Sequence, residues 1–268
     1  MKKILLENIN SVPNLPESIQ EIERISQDPD STFIDMKKAI EKDPLLMANI
    51  LRLVNSPMLG MSRKISTVEQ AISLLGKDTV RTFVWMSTVE SAFTINLSPY
   101  NVTLTEFTNA SNKKLTLMLH WLMKNNAKSL SKLAPATFLV DIGRIIIAKT
   151  LIDGNAVDAF TSALENLEGV DSAEISICGY KTTDVTASLL KRWKLVPDII
   201  HLIRYSDDPD GANENEQKMA AQLKAVREAV TIQGEISEES IITAKDTIMT
   251  FKLDMEGFEE ALSKMMNS

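Results

Sequence analysis

The residues that most often carry metal or nucleophilic chemistry are scarce in this 268-residue chain, which has two histidines and one cysteine. A catalytic metal site usually needs several imidazole or carboxylate ligands and one open coordination position. His120 lies in the apolar segment 117–122, where we expect a buried, hydrogen-bonded imidazole. His201 follows Pro197 on another predicted helix, and we interpret it as a structural or surface residue. Neither histidine anchors a metal motif.

The candidates for nucleophilic catalysis and phosphate binding are equally weak. Cys178 lies between Ile177 and Gly179, and we expect an inert buried thiol. A Ser-His-Asp or Cys-His arrangement stays open, because its members meet only in the folded chain. The glycines are scattered and form neither a dinucleotide-binding fingerprint nor a P-loop. Taken singly, these residues indicate no catalytic site.

Composition limits the compartment and the partners. The chain has 29 Lys and Arg against 36 Asp and Glu, which gives a formal charge of −7. This charge gives phosphate backbones no general attraction, so we expect no nucleic-acid partner. One cysteine cannot form an internal disulfide, which favours a reducing compartment. The apolar run that begins at Ile4 is too short for a signal peptide, and no window matches a membrane span. We therefore expect a cytoplasmic protein without a membrane partner.

The sequence predicts that the elements that position these residues are helices. Nine glycines are few for a fold of many short strands, and the apolar periodicity is helical. Asp43 and Pro44 form a helix start that runs to Asn55. Ser66 and Glu69 are spaced as a capping box, which opens a helix ending at Gly76 before another begins near residue 77. We predict further helices at about 17–27, 32–41, 102–125, 134–153, 155–167, 182–194, 197–206, 215–232 and 255–267.

The turn-forming residues at 98–101 suggest a boundary between two packed helical subdomains. We predict an N-terminal subdomain at 1–97 and a second at 98–268, which ends in amphipathic helices. The acidic stretch 207–215 lacks the alternating carboxylate spacing of a calcium loop, so we interpret it as a solvated loop. The predicted fold class is all-α.

Four short motifs occur in order along the first subdomain: VPNLP at 12–16, KDPLL at 42–46, RLVNSP at 52–57 and RKISTVEQAISLLG at 63–76. In this order they resemble the N-terminal half of the HDOD domain, the HD-related output domain of bacterial signalling proteins. The resemblance continues more faintly to about residue 210. It implies one HDOD-type module with an HD-like second half and an output or adaptor role, and such modules often stand beside receiver or cyclic-dinucleotide domains.

The resemblance also points to positions where a metal site would lie. HD proteins resemble metal-dependent phosphohydrolases that use one His, a His-Asp pair and a later Asp. Here Val140 stands where the histidine of the pair would be, and Asp141 remains. The other pocket positions that the resemblance indicates carry Thr182, Ser206 and Asp207. With two histidines in the chain, a site with three imidazoles is impossible by count. We therefore expect no enzyme, no metal, no cofactor and no catalytic residue, and we predict that Asp141 pairs with Arg144 or with a neighbouring helix.

The leading functional hypothesis is a non-catalytic signal-transduction or regulatory scaffold that binds a protein partner supplied in trans. One candidate interaction surface is the cleft between the two subdomains. The other is a turn that contains Asn55, Ser56, Met58, Gly60, Met61 and Arg63. An alternative for Asn55 and Ser56 is that they only cap and terminate their helix.

A second hypothesis is a sensor whose degenerate HD pocket binds a nucleotide or another small molecule without hydrolysing it. The side chains that could meet phosphates are Lys113, Lys114, Lys181, Lys191 and Arg192. The alternative for these five residues is that they are ordinary exposed helix charges. An active phosphohydrolase is the least expected function.

Overall fold

The computed structural model describes residues 1–55, 63–92, 95–123, 126–167 and 169–266, and its regular elements within these ranges are all helices. The all-α prediction is confirmed. The α-helices are α1 (Lys2–Ser11), α2 (Glu17–Gln27), α3 (Phe33–Glu41), α4 (Pro44–Val54), α5 (Val68–Ala92), α6 (Leu104–Leu122), α7 (Ala127–Leu139), α8 (Gly143–Asp153), α9 (Val157–Asn166), α10 (Gly169–Cys178), α11 (Thr182–Arg192), α12 (Pro197–Tyr205), α13 (Glu214–Ala229), α14 (Glu238–Thr250) and α15 (Met255–Met266). Short 3-10 helices lie at Ser98–Tyr100 and Pro209–Gly211.

Local signals place the start of α4 and the interruption of α5 correctly. The Asp43 carboxylate accepts a hydrogen bond from the Leu46 backbone N–H at 3.0 Å, and Pro44 occupies the first turn of α4. Gly76 has φ 81° and interrupts the helical path of α5, which glycine permits because it has no Cβ. This interruption confirms the predicted end of a helix at Gly76.

The predicted capping box at Ser66 and Glu69 is wrong by one residue. The Gln70 backbone N–H donates to Thr67 Oγ1 at 3.1 Å, and the Ser66 backbone N–H donates to Gln70 Oε1 at 2.9 Å. A hydroxyl and a long polar side chain three residues apart occur in both registers here. The pattern therefore predicts a cap but does not choose between the two registers.

The predicted helix at 134–153 is wrong, because α7 ends at Leu139 and α8 begins at Gly143. Pro135 is accommodated inside α7. The break itself lies at 140–142, where all three side chains are buried and Asp141 alone interrupts an apolar run. A buried helix and a buried turn look alike in such a run. This turn places Asp141 between two helices instead of within one.

A single connected apolar core extends through both predicted subdomains, from Leu5 in α1 to Leu262 in α15. The first helix packs on α8, where the Asn8 side-chain amide donates to Thr150 Oγ1 at 3.1 Å. Further along, the Trp193 indole N–H donates to the Pro13 carbonyl at 3.0 Å. The division at 97/98 stays a prediction, and the two parts share extensive contacts.

Within the described ranges, no helix combines the length and the apolar character that crossing a bilayer requires.

Candidate functional site

A group of ionised side chains is buried where several helices of the second half meet. Lys114 comes from α6, Asp141 from the turn before α8, Arg144 from α8 and Glu174 from α10, and each exposes 7% or less of its surface. Asp207 follows α12 and is bound by an arginine of α13. The Asp141 cluster, as we name this group, consists of Lys114, Asp141, Arg144, Glu174, Asp207 and Arg227.

Asp141 binds three cations. Lys114 Nζ makes a short hydrogen bond to Oδ2, Arg227 Nη2 lies 3.4 Å from Oδ1, and Arg144 Nη1 lies 3.5 Å from Oδ1. The predicted pairing of Asp141 with Arg144 is therefore confirmed. Burial by itself would raise the pKa of Asp141, but the positive charges of the three partners hold that pKa well below its usual range. The carboxylate is thus an anion saturated by protein cations.

Lys114 fits neither of the interpretations given to it from the sequence. It is not an exposed helix charge, because it is buried, and its ammonium group is already bound by Asp141. Burial lowers the pKa of Lys114, and the charge of Asp141 opposes that shift. Lys113 also has a partner, since its Nζ donates to the Gly234 carbonyl at 2.8 Å.

Glu174 holds a second part of the cluster together. Its carboxylate accepts hydrogen bonds from the Thr182 backbone N–H at 2.6 Å, from Thr182 Oγ1 at 2.7 Å and from the Tyr100 hydroxyl at 2.8 Å. Arg144 Nε lies 3.7 Å from the same carboxylate. Burial raises the pKa of Glu174, and burial together with Glu174 raises the pKa of Tyr100. Thr182, one of the predicted pocket positions, therefore contacts the cluster through Glu174.

Asp207 links Arg227 to the edge of the cluster. Arg227 Nη1 makes a short contact with Oδ1, Lys181 Nζ lies 3.0 Å from Oδ2, and the Thr183 hydroxyl donates to the same oxygen. Although burial opposes it, the positive charge of Arg227 lowers the pKa of Asp207. Arg227 therefore bridges two of the predicted pocket positions, Asp141 and Asp207.

The other two predicted pocket positions supply only local or backbone contacts. The Val140 side chain is fully buried, and its carbonyl accepts a hydrogen bond from Thr186 Oγ1 at 2.9 Å. The buried Ser206 hydroxyl donates to the Ile203 carbonyl at 2.8 Å, one turn earlier in the chain. Sequence reasoning missed Glu174, Arg227 and Tyr100. A charged residue within an apolar stretch of a helix could have indicated these positions, because a charge is rarely buried without a partner. Arg227, in the stretch from Val226 to Val230, is an example.

Neither histidine belongs to this cluster, and Cys178 lies one turn of α10 after Glu174. His120 is partly buried, and among the described residues its Nδ1 has no hydrogen-bond partner, contrary to the predicted hydrogen-bonded imidazole. His201 exposes 53% of its side chain. Cys178 is buried, and burial raises the pKa of its thiol to about 11. In the part of the chain that the structure describes, no three His, Cys, Asp or Glu side chains are grouped to hold a metal ion.

The predicted interaction turn lies largely outside the described residues, which include Asn55 and Arg63 but not Ser56, Met58, Gly60 or Met61. The Asn55 side-chain amide donates to the carbonyls of Leu51 and Ile65, each at 2.7 Å. Its Oδ1 accepts from the Ile65 backbone N–H at 2.8 Å. Asn55 therefore ties the end of α4 to the chain beyond the turn, which matches the alternative that it terminates its helix.

Comparisons with known proteins agree with this architecture. A solved structure from Shewanella amazonensis SB2B, provisionally named as a phosphohydrolase, has a TM-score of 0.77 at 23% identity and covers 98% of this chain and 94% of its own. A Marinobacter aquaeolei VT8 structure, provisionally named as a signal transduction protein, has a TM-score of 0.67 at 16% identity. That likeness covers 99% of this chain and 62% of the other.

A curated relative and a family model extend the comparison. A protein of Treponema pallidum (strain Nichols) is 31% identical over 72 residues, which make up 27% of this chain and 14% of that protein. The match thus covers about one seventh of the relative's length. The model of the HDOD domain matches residues 12–209, a range that contains the four N-terminal motifs and all of the Asp141 cluster except Arg227. The chain therefore belongs to the HDOD domain family.

Proposed function

We propose that this HDOD protein is a non-catalytic regulator that acts in signal transduction through contacts with a protein partner. The observation that supports this proposal is the binding of Asp141 by Lys114, Arg144 and Arg227. Asp141 is the one acid that remains of the His-Asp pair in the family resemblance. Its oxygens are occupied by protein cations in a site of low dielectric constant, where a metal cation would meet strong repulsion.

The cluster also argues against the degenerate pocket as a nucleotide site. Lys114 and Lys181, two of the residues considered for phosphate binding, are already paired with Asp141 and Asp207. A phosphate that entered here would have to compete with the carboxylates of Asp141, which is buried, and Asp207 for these cations. Breaking a buried ion pair is unfavourable by about 3 to 5 kcal/mol when one partner is lost. We therefore assign this site a structural role.

A hydrolysis assay tests the absence of catalysis. The purified chain is incubated with a chromogenic phosphomonoester and a phosphodiester, with added manganese, iron, zinc or magnesium. The control is a reaction without protein. Asp141→Asn, which removes the remaining acid while keeping its shape, is assayed beside the wild-type chain once far-UV circular dichroism shows that the variant is folded. We expect no release above the control with any metal. Metal-dependent release by the wild-type chain that Asp141→Asn abolishes would contradict the proposal.

The protein-contact part of the proposal is tested at the turn around residues 55–63. A tagged chain is used to capture partners from the native host, with Met58→Ala and Arg63→Gln as variants and Lys218→Gln as an exposed control. We expect at least one captured protein to be lost with the turn variants and retained with the control. Partners that stay unchanged in every variant would exclude the turn as the interaction surface.

A further inference from the structure

A cleft of about 350 Å³ lies between the N-terminal segment and the end of α11. Its lining residues come from both predicted subdomains. Its volume is within the range of about 300 to 1,000 Å³ that is usual for small-molecule sites. The cleft is lined by Asn14, Leu15, Gln20, Glu23, Arg24, Gln27, Arg192, Trp193 and Lys194.

The exposed edge of this cleft is strongly basic. Arg24 contributes one cation from α2, Arg192 a second from the end of α11, and Lys194 a third just beyond it, and all three are exposed. Among the described residues, Arg24 and Lys194 have no ion-pair partner. Arg192 uses Nη2 to donate to the Val12 carbonyl at 3.2 Å, which leaves its other N–H groups for a ligand. A chain with a net charge of −7 thus gathers three cations around one opening.

The buried part of the cleft contains a carboxylate with an unused oxygen. Glu23 Oε1 accepts hydrogen bonds from Arg81 Nε at 3.0 Å and from the Trp85 indole N–H at 2.7 Å. Glu23 Oε2 is buried, and no described residue donates a hydrogen bond to it. A buried acceptor without a donor is energetically unfavourable. A ligand that displaces the groups covering this oxygen and donates an N–H to it would remove this penalty.

The two features together define one class of ligand. Three cations at the edge fit a dianionic phosphate better than a single carboxylate. Leu15 and Trp193 supply apolar buried walls beside Glu23, and the acceptor of Glu23 suits an amino group on a ring. We propose that this cleft binds a mononucleotide, with its phosphate at Arg24, Arg192 and Lys194 and an amino group of its base at Glu23.

Such a ligand would touch both parts of the chain. Glu23 and Arg24 belong to the N-terminal half, whereas Arg192 and Lys194 belong to the second half. Trp85, which binds Glu23, also packs on Trp193 with a ring-centroid separation of 5.9 Å. Bound nucleotide would therefore stabilise the junction between the halves, and it would raise the melting temperature by mass action. The proposal is independent of the absence of catalysis, since the cleft shares no residue with the Asp141 cluster.

Titration calorimetry and thermal melting of the full chain with AMP test this site. The double variant Arg24→Gln/Lys194→Gln removes two exposed cations of the edge, and Lys191→Gln is the matched control, because Lys191 is exposed on α11 outside the cleft lining. We expect AMP to raise the melting temperature. The double variant should weaken AMP binding on the order of tenfold or more, because two of the three cations that face the phosphate are lost. Lys191→Gln should leave the affinity unchanged.

Ribose 5-phosphate and inorganic phosphate are titrated in parallel, and both should bind more weakly than AMP. Three results would overturn the proposal. The first is no binding of AMP at millimolar concentration. The second is equal affinity of AMP for the wild-type chain and the double variant. The third is binding of inorganic phosphate as tight as that of AMP, which would indicate a general anion site.

Discussion

At the scale of the residue, Asp141 is the centre of the candidate site. The i+3 spacing to Arg144 made one of its partners predictable from the sequence. The other two could not be predicted, since Lys114 and Arg227 lie 27 and 86 residues away and reach Asp141 only in the folded chain. Glu174 was not predicted for a different reason. Its helix α10 has a weak apolar pattern and was absent from the predicted helices. The residues that neutralise the site are therefore a product of the fold.

Replacing Asp141 with Asn should destabilise the protein severely. The change leaves Lys114, Arg144 and Arg227 without their shared anion in a buried site. Loss of one partner from a buried ion pair lowers the free energy of unfolding by about 3 to 5 kcal/mol. Urea denaturation at neutral pH measures this loss, and Asp246→Asn on the exposed side of α14 is the control that should change little. An equal effect of both substitutions would contradict the assignment.

The pH dependence of that loss follows from the pKa of Asp141. The folded-state pKa lies below the ordinary value of 3.8, so the stabilisation is fully present above about pH 5 and declines as pH falls through the folded-state pKa. The difference in unfolding free energy between the wild-type chain and Asp141→Asn should therefore shrink below about pH 4. Denaturation at a series of pH values measures this difference. A difference that stays constant from neutral pH to pH of about 3 would show that the carboxylate charge is not its cause.

At the scale of the element, local chemistry predicted the helix start at Asp43 and the interruption at Gly76 but not the turn at 140–142. The cap at Asp43 and the break at Gly76 were both visible, because a short polar side chain and a glycine have direct backbone effects. The turn at 140–142 was not visible, and it leads directly into a close approach between α8 and α11 at Gly143. A Cβ placed on Gly143 would lie 2.4 Å from the Thr182 carbonyl oxygen and 2.8 Å from the Thr186 backbone nitrogen. The position of Asp141 thus depends on a contact between distant segments.

Gly143→Ala should disrupt this contact. Backbone atoms of α11 cannot move away as a flexible side chain could, so we expect a loss of about 1 to 3 kcal/mol or more in the free energy of unfolding. Gly211→Ala is a suitable control, because the nearest atoms to its added Cβ lie at 3.3 Å or farther and belong to side chains. Chemical denaturation of both variants gives the comparison. Wild-type stability of Gly143→Ala would show that the two helices are not held at this distance in solution.

At the scale of the whole molecule, the HDOD family and the all-α fold could be predicted from the order of four N-terminal motifs and from helical periodicity. The contacts that join the two predicted subdomains could not be predicted from the sequence. Asn8 of α1 donates a hydrogen bond to Thr150 of α8, and the indole N–H of Trp193 donates one to the Pro13 carbonyl. Besides these hydrogen bonds, the two parts share one apolar core.

A shared core predicts cooperative unfolding of the entire chain. Urea transitions followed by tryptophan fluorescence and by far-UV circular dichroism should coincide at one midpoint, because neither part can lose its core alone. The tryptophans sample both parts, since Trp85 lies in α5 and Trp121 in α6. Two separate transitions would instead support subdomains at 1–97 and 98–268 that unfold independently.

The central claim is that buried cations occupy the place where a metal site of an HD protein would be. The most direct measurement is the metal content of the full chain purified without chelators and after dialysis against manganese, iron and zinc, determined by inductively coupled plasma mass spectrometry. The account predicts metal far below one ion per chain, with no difference between the wild-type protein and Asp141→Asn. Stoichiometric metal in the wild-type protein that Asp141→Asn removes would contradict it.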